Sequence, residues 1–124
     1  CAVNDDIWDV LETIRSYDSV IVSTPLYFGE ACSQYRTLAD RFYSFINADG
    51  SSNLEPGKKV AVVVTCNNEL EPASALADKI ENLFIESFKF VSAGKIVFCD
   101  HGKKNAAKND TEILSRARSI GKNL

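Results

Sequence analysis

Three short runs of apolar, mostly β-branched residues recur along the chain, and segments with helical spacing lie between them. The runs are Val20-Ile21-Val22, residues 60–64 and residues 96–99. Each is apolar at successive positions, which is typical of strands that are covered on both faces, as in parallel sheets. We therefore predict three parallel strands near residues 19–23, 59–65 and 95–99, with their carboxyl ends at one edge of a sheet.

Four segments have the apolar spacing of amphipathic helices. They begin at Asn4, near Glu30, at Pro72 and near Asp110, and we expect Gly121 to stop the last one. The resulting order αβαβαβα predicts a parallel sheet with helices on both faces. Because an open α/β sheet usually begins with a strand and has about five of them, we expect residues 1–124 to be the C-terminal portion of one domain that lacks its first strand or strands.

Composition excludes several classes of function. The chain has 124 residues, with 14 Lys and Arg against 17 Asp and Glu. A net charge of −3 gives no basic field for nucleic-acid binding, and no apolar run approaches the length of a membrane span. The four cysteines contain no CxxC pair and predict no metal site. We expect reduced thiols and a cytoplasmic protein. The cysteines are Cys1, Cys32, Cys66 and Cys99.

The segments that follow the three strands are the places to look for a ligand, because ligands of open parallel sheets bind beyond the carboxyl ends of the strands. After the first predicted strand, Pro25 favours a turn, Tyr27 and Phe28 are large aromatics in a loop, and Gly29 permits close backbone approach. Exposed aromatics next to free amides suit a flat heterocycle. The same pattern equally allows both rings to fold back onto the core as loop anchors.

Charged groups elsewhere favour structural roles. Asp5 and Asp6 open a helix rather than end a strand, so helix capping is favoured over a metal site or a phosphoryl-accepting acid. We expect Asp40 and Arg41 to form a structural or subunit-contact ion pair. His101 stands alone in a loop and is expected to be solvated.

The chain resembles the NADPH-dependent FMN reductase and iron–sulfur flavoprotein family in three places. These are the opening Cys1-x-x-x-Asp5-Asp6, the strand end at residues 23–29 with sequence STPLYFG, and the later Asp40-Arg41. The resemblance implies a flavodoxin-like α/β three-layer sandwich with a parallel sheet, of which residues 1–124 would be the C-terminal portion of one FMN-binding domain. It also implies an NAD(P)H-dependent FMN reductase, or a flavoprotein oxidoreductase, that transfers electrons through bound FMN.

In that family the cofactor carries out the redox chemistry, so we expect no catalytic side chain. The resemblance implies two sets of FMN-binding residues on either side of the flavin ring. The first set is Thr24, Pro25, Leu26, Tyr27, Phe28 and Gly29, and the second is Cys66, Asn67 and Asn68.

The family's phosphate loop and most of its cluster cysteines would lie before Cys1. Cys1 matches the last of those cysteines and would ligate an iron–sulfur cluster only together with upstream ones. We expect flavin and nicotinamide nucleotides as ligands, and a homo-oligomer formed through an apolar edge beside Val20-Ile21-Val22. Two alternatives stay open: a flavodoxin-type electron carrier without its own NAD(P)H turnover, and a non-catalytic interaction module.

Overall fold

A computed structural model describes residues 5–67 and 69–124 and contains one mostly parallel sheet with helices on both faces. The helices and strands are bounded as follows: α1 Ile7–Ser16, β1 Ser19–Tyr27, β2 Glu30–Ala31, α2 Ser33–Arg41, β3 Lys59–Cys66, α3 Leu70–Asn82, β4 Val91–Cys99, α4 Ala106–Asn109 and α5 Thr111–Asn123. A 3₁₀ turn at Phe42–Phe45 continues α2, and a π-helical turn at Leu83–Ser87 continues α3.

The sheet has the strand order β2-β1-β3-β4. β1 pairs with β3 in parallel from Ser19 opposite Lys59 to Pro25 opposite Thr65. β3 pairs with β4 in parallel and ends with Cys66 opposite Cys99. The predicted three parallel strands and the flavodoxin-like α/β architecture are thus confirmed. β4 begins at Val91, earlier than predicted, because its amino end pairs along the full length of β3.

The segment after the first predicted strand is a hairpin, not the loop that Pro25 suggested. β1 continues through Pro25 to Tyr27, and Phe28 and Gly29 form a two-residue turn into the antiparallel β2. Phe28 has φ 50° and Gly29 has φ 80°, the signs that a type I′ hairpin turn requires. Pro25 lies just before Leu26 and Tyr27, the two residues of β1 that pair with β2, so it is not itself part of that antiparallel ladder. The helix predicted from Glu30 therefore begins only at Ser33.

A phenylalanine cluster fills the space between the sheet and the three helices α1, α2 and α3. Val60, Val62 and Val64 alternate along β3 toward it and are 0% exposed. The rings of Phe42 and Phe84 lie 5.4 Å apart in an edge-to-face arrangement. The cluster consists of Phe42, Phe45, Phe84, Phe88 and Phe90. It fixes α2 and α3 against the strands whose carboxyl ends form the candidate site.

The opposite face of the sheet is covered by α5 over β4. Gly94 allows this approach, since a Cβ at that position would lie 3.0 Å from Cγ1 of Ile120. α5 begins at Thr111, near Asp110 as predicted, and Asp110 caps it: its carboxylate accepts a hydrogen bond from the N–H of Ile113 at 3.0 Å. Gly121 does not end α5, which continues to Asn123. Ile21, on the same face but at the open edge of β1, is 62% exposed. Self-association through this edge stays a prediction.

Two predictions about helix starts and ion pairs need correction. Pro72 is the third residue of α3, not the first. Proline is tolerated there because the first four residues of a helix have no carbonyl partner within the helix for their N–H groups. Arg41 pairs with Asp5, with 2.7 Å between Nη1 and Oδ2, and not with its neighbour Asp40. Successive residues of a helix point in different directions, whereas Asp5 lies at the start of α1 and faces the end of α2. Asp5 also accepts a hydrogen bond from the N–H of Ile7, in agreement with a capping role.

A buried carboxylate joins α3 to β4. Glu81 accepts hydrogen bonds from the Ser92 hydroxyl and from Lys95, whose Nζ lies 2.6 Å from Oε2. Burial opposes the charge of Glu81, but the hydrogen bonds from Lys95 and Ser92 outweigh it and lower its pKa. Lys95 also contacts Asp78, and these two carboxylates raise the pKa of its ammonium group. The network stabilises the position of β4 beside β3.

A candidate ligand cleft at the carboxyl edge of the sheet

Three loops meet where β1, β3 and β4 end. The hairpin turn follows β1, the segment before α3 follows β3, and residues 100–102 follow β4. Backbone hydrogen bonds join the last two loops: the N–H of Asp100 donates to the carbonyl oxygen of Cys66 at 3.0 Å, and the N–H of His101 donates to that of Asn67 at 2.7 Å. The two loops therefore form one continuous wall beside the hairpin.

A cleft of about 210 Å³ separates the hairpin from this wall. Residues from both sets of predicted FMN-binding residues line the cleft, together with one carboxylate. The lining residues are Leu26, Tyr27, Phe28, Cys66, Asn67 and Glu69. The carboxyl edge thus brings residues that are about 40 positions apart in the chain to the two sides of one cleft.

The remaining predicted residues lie elsewhere. Thr24 is 1% exposed inside the hairpin base and does not line the cleft. Pro25 and Gly29 also lie outside its lining, Pro25 within β1 and Gly29 in the turn. Asn68 and Cys1 lie outside the described residues.

Tyr27 and Phe28, the edge aromatic pair, project from the hairpin. Tyr27 is 62% exposed and Phe28 is fully exposed, whereas Leu26 before them is buried. A bulky residue such as Phe is rare at positive φ, and residues in such conformations cluster at functional sites. Both rings are consequently available to a ligand in the cleft rather than anchored in the core.

Thr24 holds the hairpin from within. Its Oγ1 accepts a hydrogen bond from the N–H of Cys32 at 3.1 Å, which ties the residue before α2 to β1. The hydroxyl also lies 3.3 Å from Sγ of Cys32, and a hydrogen bond from Thr24 is the main reason why the pKa of this thiol is lowered. Thr24 therefore holds the hairpin from its buried side and does not line the cleft.

Cys66 and Cys99 form a disulfide, so the prediction of reduced thiols is wrong for these two residues. They are register partners at the ends of neighbouring parallel strands, with Cα atoms 4.6 Å apart. That proximity depends on strand register and is invisible in a spacing of 33 residues. Among the described cysteines, Cys32 is the free one.

Glu69 is the functional candidate that the residue patterns did not single out. It precedes α3 directly and places a carboxylate in the lining of the cleft. Its position in the loop after β3 was the available signal, but a single acidic residue before a helix is usually read as a favourable charge at the helix N-terminus.

Within residues 5–67 and 69–124, no group of three or more His, Cys, Asp or Glu could hold a metal ion.

A larger groove of about 440 Å³ runs between α2 and α3, away from the loop wall. Its lining includes Tyr35, Arg36, Lys79 and Glu86. Burial raises the pKa of Tyr35. None of the residues predicted to bind a cofactor lines this groove, so the cleft at the carboxyl edge is the better candidate site.

Comparisons with known proteins agree with the fold and the motif. No family model matches the chain. An iron–sulfur flavoprotein of Methanocaldococcus jannaschii is 26% identical over 130 residues, a match that covers all of this chain and 65% of that protein. The chain therefore spans slightly less than two thirds of the length of this relative. These findings confirm the resemblance that the motifs carry.

Two solved structures share the fold. An NADPH-quinone reductase from P. pentosaceus superimposes with a TM-score of 0.65 at 15% identity, covering 97% of this chain and 73% of that one. The Trp repressor binding protein from Bacillus subtilis gives a TM-score of 0.63 at 17% identity, covering 98% and 70%. In the described part of the chain, no helix is both long enough and apolar enough to cross a bilayer.

Proposed function

We propose that this chain is the part of a flavoprotein oxidoreductase that holds the ring system of FMN, in a protein that oxidises NAD(P)H. The observation that carries the proposal is the cleft at the carboxyl edge, with the edge aromatic pair on one side and Cys66 and Asn67 on the other. The archaeal relative is an iron–sulfur flavoprotein, and one solved neighbour is an NADPH-quinone reductase. Both names support flavin-dependent chemistry for this fold.

The residues of the cleft suit the ring system of a flavin better than its phosphate. Tyr27 and Phe28 offer exposed aromatic faces, and Asn67 offers an amide that can donate and accept hydrogen bonds at a ring edge. Glu69 is the charged residue in the lining, and its sign repels a phosphate. The cleft is also smaller than the about 300–1,000 Å³ of typical ligand pockets. The phosphate would therefore be held by residues outside this cleft.

Once bound, FMN would supply the electron transfer between NAD(P)H and an acceptor. The side chains of this chain would orient the ring and limit the access of water to it. Tyr27 and Phe28 would pack on or beside the ring, and Asn67 would hydrogen-bond its edge. An iron–sulfur cluster, with Cys1 as one ligand, belongs to the same proposal only if upstream cysteines supply the other ligands.

The decisive experiment compares two tyrosines of similar exposure near opposite ends of β1. Tyr27 is 62% exposed at the carboxyl end and Tyr17 is 65% exposed just before the amino end. In the full-length protein, Tyr27→Ala should weaken FMN binding by about 1 kcal/mol, the value of one aromatic contact, while Tyr17→Ala leaves it unchanged. Titration of the apoproteins with FMN, followed by flavin fluorescence, measures both affinities.

Equal FMN affinities in the wild type and in a correctly folded Tyr27→Ala variant would contradict this site. Steady-state oxidation of NADH and of NADPH by the FMN-loaded wild type then tests the reaction. A protein that binds FMN but oxidises neither nucleotide would be an electron carrier and not a reductase.

A further inference from the structure

We propose that Cys66 and Cys99 form a reversible thiol–disulfide switch that sets the geometry of the cleft. The switch itself depends only on the two cysteines, whereas its effect on ligand binding rests on the proposed flavin function. One half of the pair, Cys66, belongs to the lining of the cleft, and the other ends the neighbouring strand. A change in the sulfur–sulfur bond therefore acts directly on one wall of the proposed flavin site.

The Cys66–Cys99 disulfide and a set of backbone hydrogen bonds together join the two loops that follow β3 and β4. The Cα atoms of Cys66 and Cys99 are 4.6 Å apart in paired register. Directly beyond them, the N–H groups of Asp100 and His101 donate to the carbonyl oxygens of Cys66 and Asn67. Gly102 lies beside the side chain of Asn67, since a Cβ at Gly102 would be in ordinary van der Waals contact with Oδ1 of Asn67, at 3.7 Å. The disulfide thus stands at the base of the contacts that keep Asn67 beside the hairpin.

The two sulfurs differ in their environment. Cys66 is 7% exposed and belongs to the buried core, whereas Cys99 is only partly buried. An attacking thiolate therefore reaches the pair from the side of Cys99. The sheet supports both cysteines through backbone pairing that does not require the sulfur–sulfur bond, so the strands remain in place when that bond opens.

Reduction of the Cys66–Cys99 bond requires a dithiol. A thiolate of the dithiol attacks Sγ of Cys99, the bond between Cys99 and Cys66 breaks, and Cys66 leaves as a thiolate that takes up a proton. The second thiol of the reductant then attacks its own mixed disulfide and releases Cys99, which is protonated in turn. The protein gains two electrons and two protons, and the reductant becomes a cyclic disulfide.

Reduction removes the covalent tie but leaves two ordinary backbone hydrogen bonds to hold the loop wall. We expect the oxidised protein to present Asn67 in a preorganised position and the reduced protein to sample other positions. Preorganised sites bind more tightly because less ordering remains to be done on binding. The oxidised form should accordingly bind FMN about tenfold more tightly, which corresponds to about 1.4 kcal/mol.

The experiment uses the full-length protein in two states. One state is oxidised with glutathione disulfide, and the other is reduced with dithiothreitol under native conditions. Alkylation followed by peptide mass spectrometry should find Cys66 and Cys99 linked to each other in the first state and both alkylated in the second. Backbone amide exchange should become about tenfold faster at Asp100 and His101 after reduction, a free-energy change of about 1.4 kcal/mol in local opening. FMN titration of both states gives the second readout.

The matched controls are Cys99→Ser and Cys32→Ser. Cys99→Ser should behave as the reduced form under both conditions, whereas Cys32→Ser, which removes the free thiol before α2, should switch like the wild type. A pair that does not link on oxidation, or links without any change in exchange at Asp100 and His101, would overturn the proposal. If the amides respond but neither state binds FMN, the switch stands and the proposed flavin function fails.

Discussion

The phenylalanine cluster and the edge aromatic pair contain the same kind of side chain in opposite circumstances. Phe84 is 1% exposed and its ring lies 5.3 Å from that of Phe90, whereas Phe28 is fully exposed on a turn with positive φ. Burial of the cluster and its edge-to-face contacts stabilise the fold. The edge aromatic pair is neither buried nor packed in this way, and the positive φ of Phe28 adds backbone strain. An arrangement that does not stabilise the fold is more simply explained by a ligand than by packing.

The largest effect should come from truncating the centre of the cluster. Phe84→Ala removes ring contacts to Phe42, Phe88 and Phe90 and leaves a cavity under α3. We expect the free energy of unfolding to fall by about 3–5 kcal/mol. Chemical denaturation monitored by circular dichroism measures it. Tyr43→Ala, on a ring that is 80% exposed next to the cluster, is the control and should change stability by no more than about 0.5 kcal/mol.

A loss below about 1 kcal/mol for Phe84→Ala would mean that the cluster repacks around the cavity. The contrast between the two aromatic groups would then lose its energetic basis.

The polar network beside the cluster should give the next largest effect. Glu81→Gln keeps the shape but removes the charge that Lys95 and Ser92 bind, so we expect a loss of about 1.5–3 kcal/mol at pH 7. Because the pKa of Glu81 is lowered in the folded protein, its contribution is complete above the ordinary value of 4.5 and disappears as the pH falls through the folded pKa. Urea unfolding at neutral and at acid pH should show the difference between variant and wild type shrinking.

Asp78→Asn is the matched control for that network. Asp78 contacts the same ammonium group, but its side chain is 55% exposed, against 11% for Glu81. The smaller penalty expected for the exposed partner is about 0–1 kcal/mol. Equal losses for both variants would show that burial does not distinguish the two contacts.

Thr24 is buried at the base of the hairpin, and its replacement should have an intermediate effect on stability. Thr24→Val preserves the shape of the side chain and leaves the N–H of Cys32 without its acceptor, at a cost of about 1–2 kcal/mol in stability. The pKa of the Cys32 thiol should rise toward its ordinary value of 9.0, because the hydrogen bond from Thr24 is what mainly lowers it. The pH dependence of alkylation at the Cys32 peptide measures the shift.

Thr24→Ser retains the hydroxyl and should restore the low pKa of Cys32. A thiol that titrates identically in the valine and serine variants would contradict the role given to Thr24.

The sequence was sufficient for the parts of the fold that depend on neighbouring residues. The apolar runs at Val20-Ile21-Val22 and around Val62 form the predicted strands, and α5 begins near Asp110 as predicted, because strand and helix-start signals are local. The hairpin at Phe28 was missed because type I′ turns prefer Asn, Asp or Gly at that position, so a Phe there does not indicate a positive φ. The Cys66–Cys99 disulfide was missed because it requires the register between two strands.

The candidate site was predicted only in part for the same reason. Both sides of the cleft were found from their positions after strands, which is a rule of topology. Whether Tyr27 and Phe28 turn inward or outward depends on the hairpin that carries them, and their pattern of residues contains no information about it. Thr24, although part of the motif, is directed into the hairpin because alternation along β1 places it on the buried face.

Phe28 gives the smallest effect but the sharpest contrast, since stability and binding should change in opposite directions. Phe28→Asn creates Asn-Gly, the residue pair that type I′ turns prefer, and relieves the strain of a bulky residue at φ 50°. We expect a gain of about 0.5–1 kcal/mol in stability together with a loss of about 1 kcal/mol in FMN affinity. Phe28→Leu keeps the strain but removes the ring, so it should lose affinity without gaining stability. Thermal unfolding and FMN titration of the two variants give both quantities. If Phe28→Asn became less stable, the ring would be supporting the hairpin, and the edge aromatic pair would belong with the cluster as a structural feature.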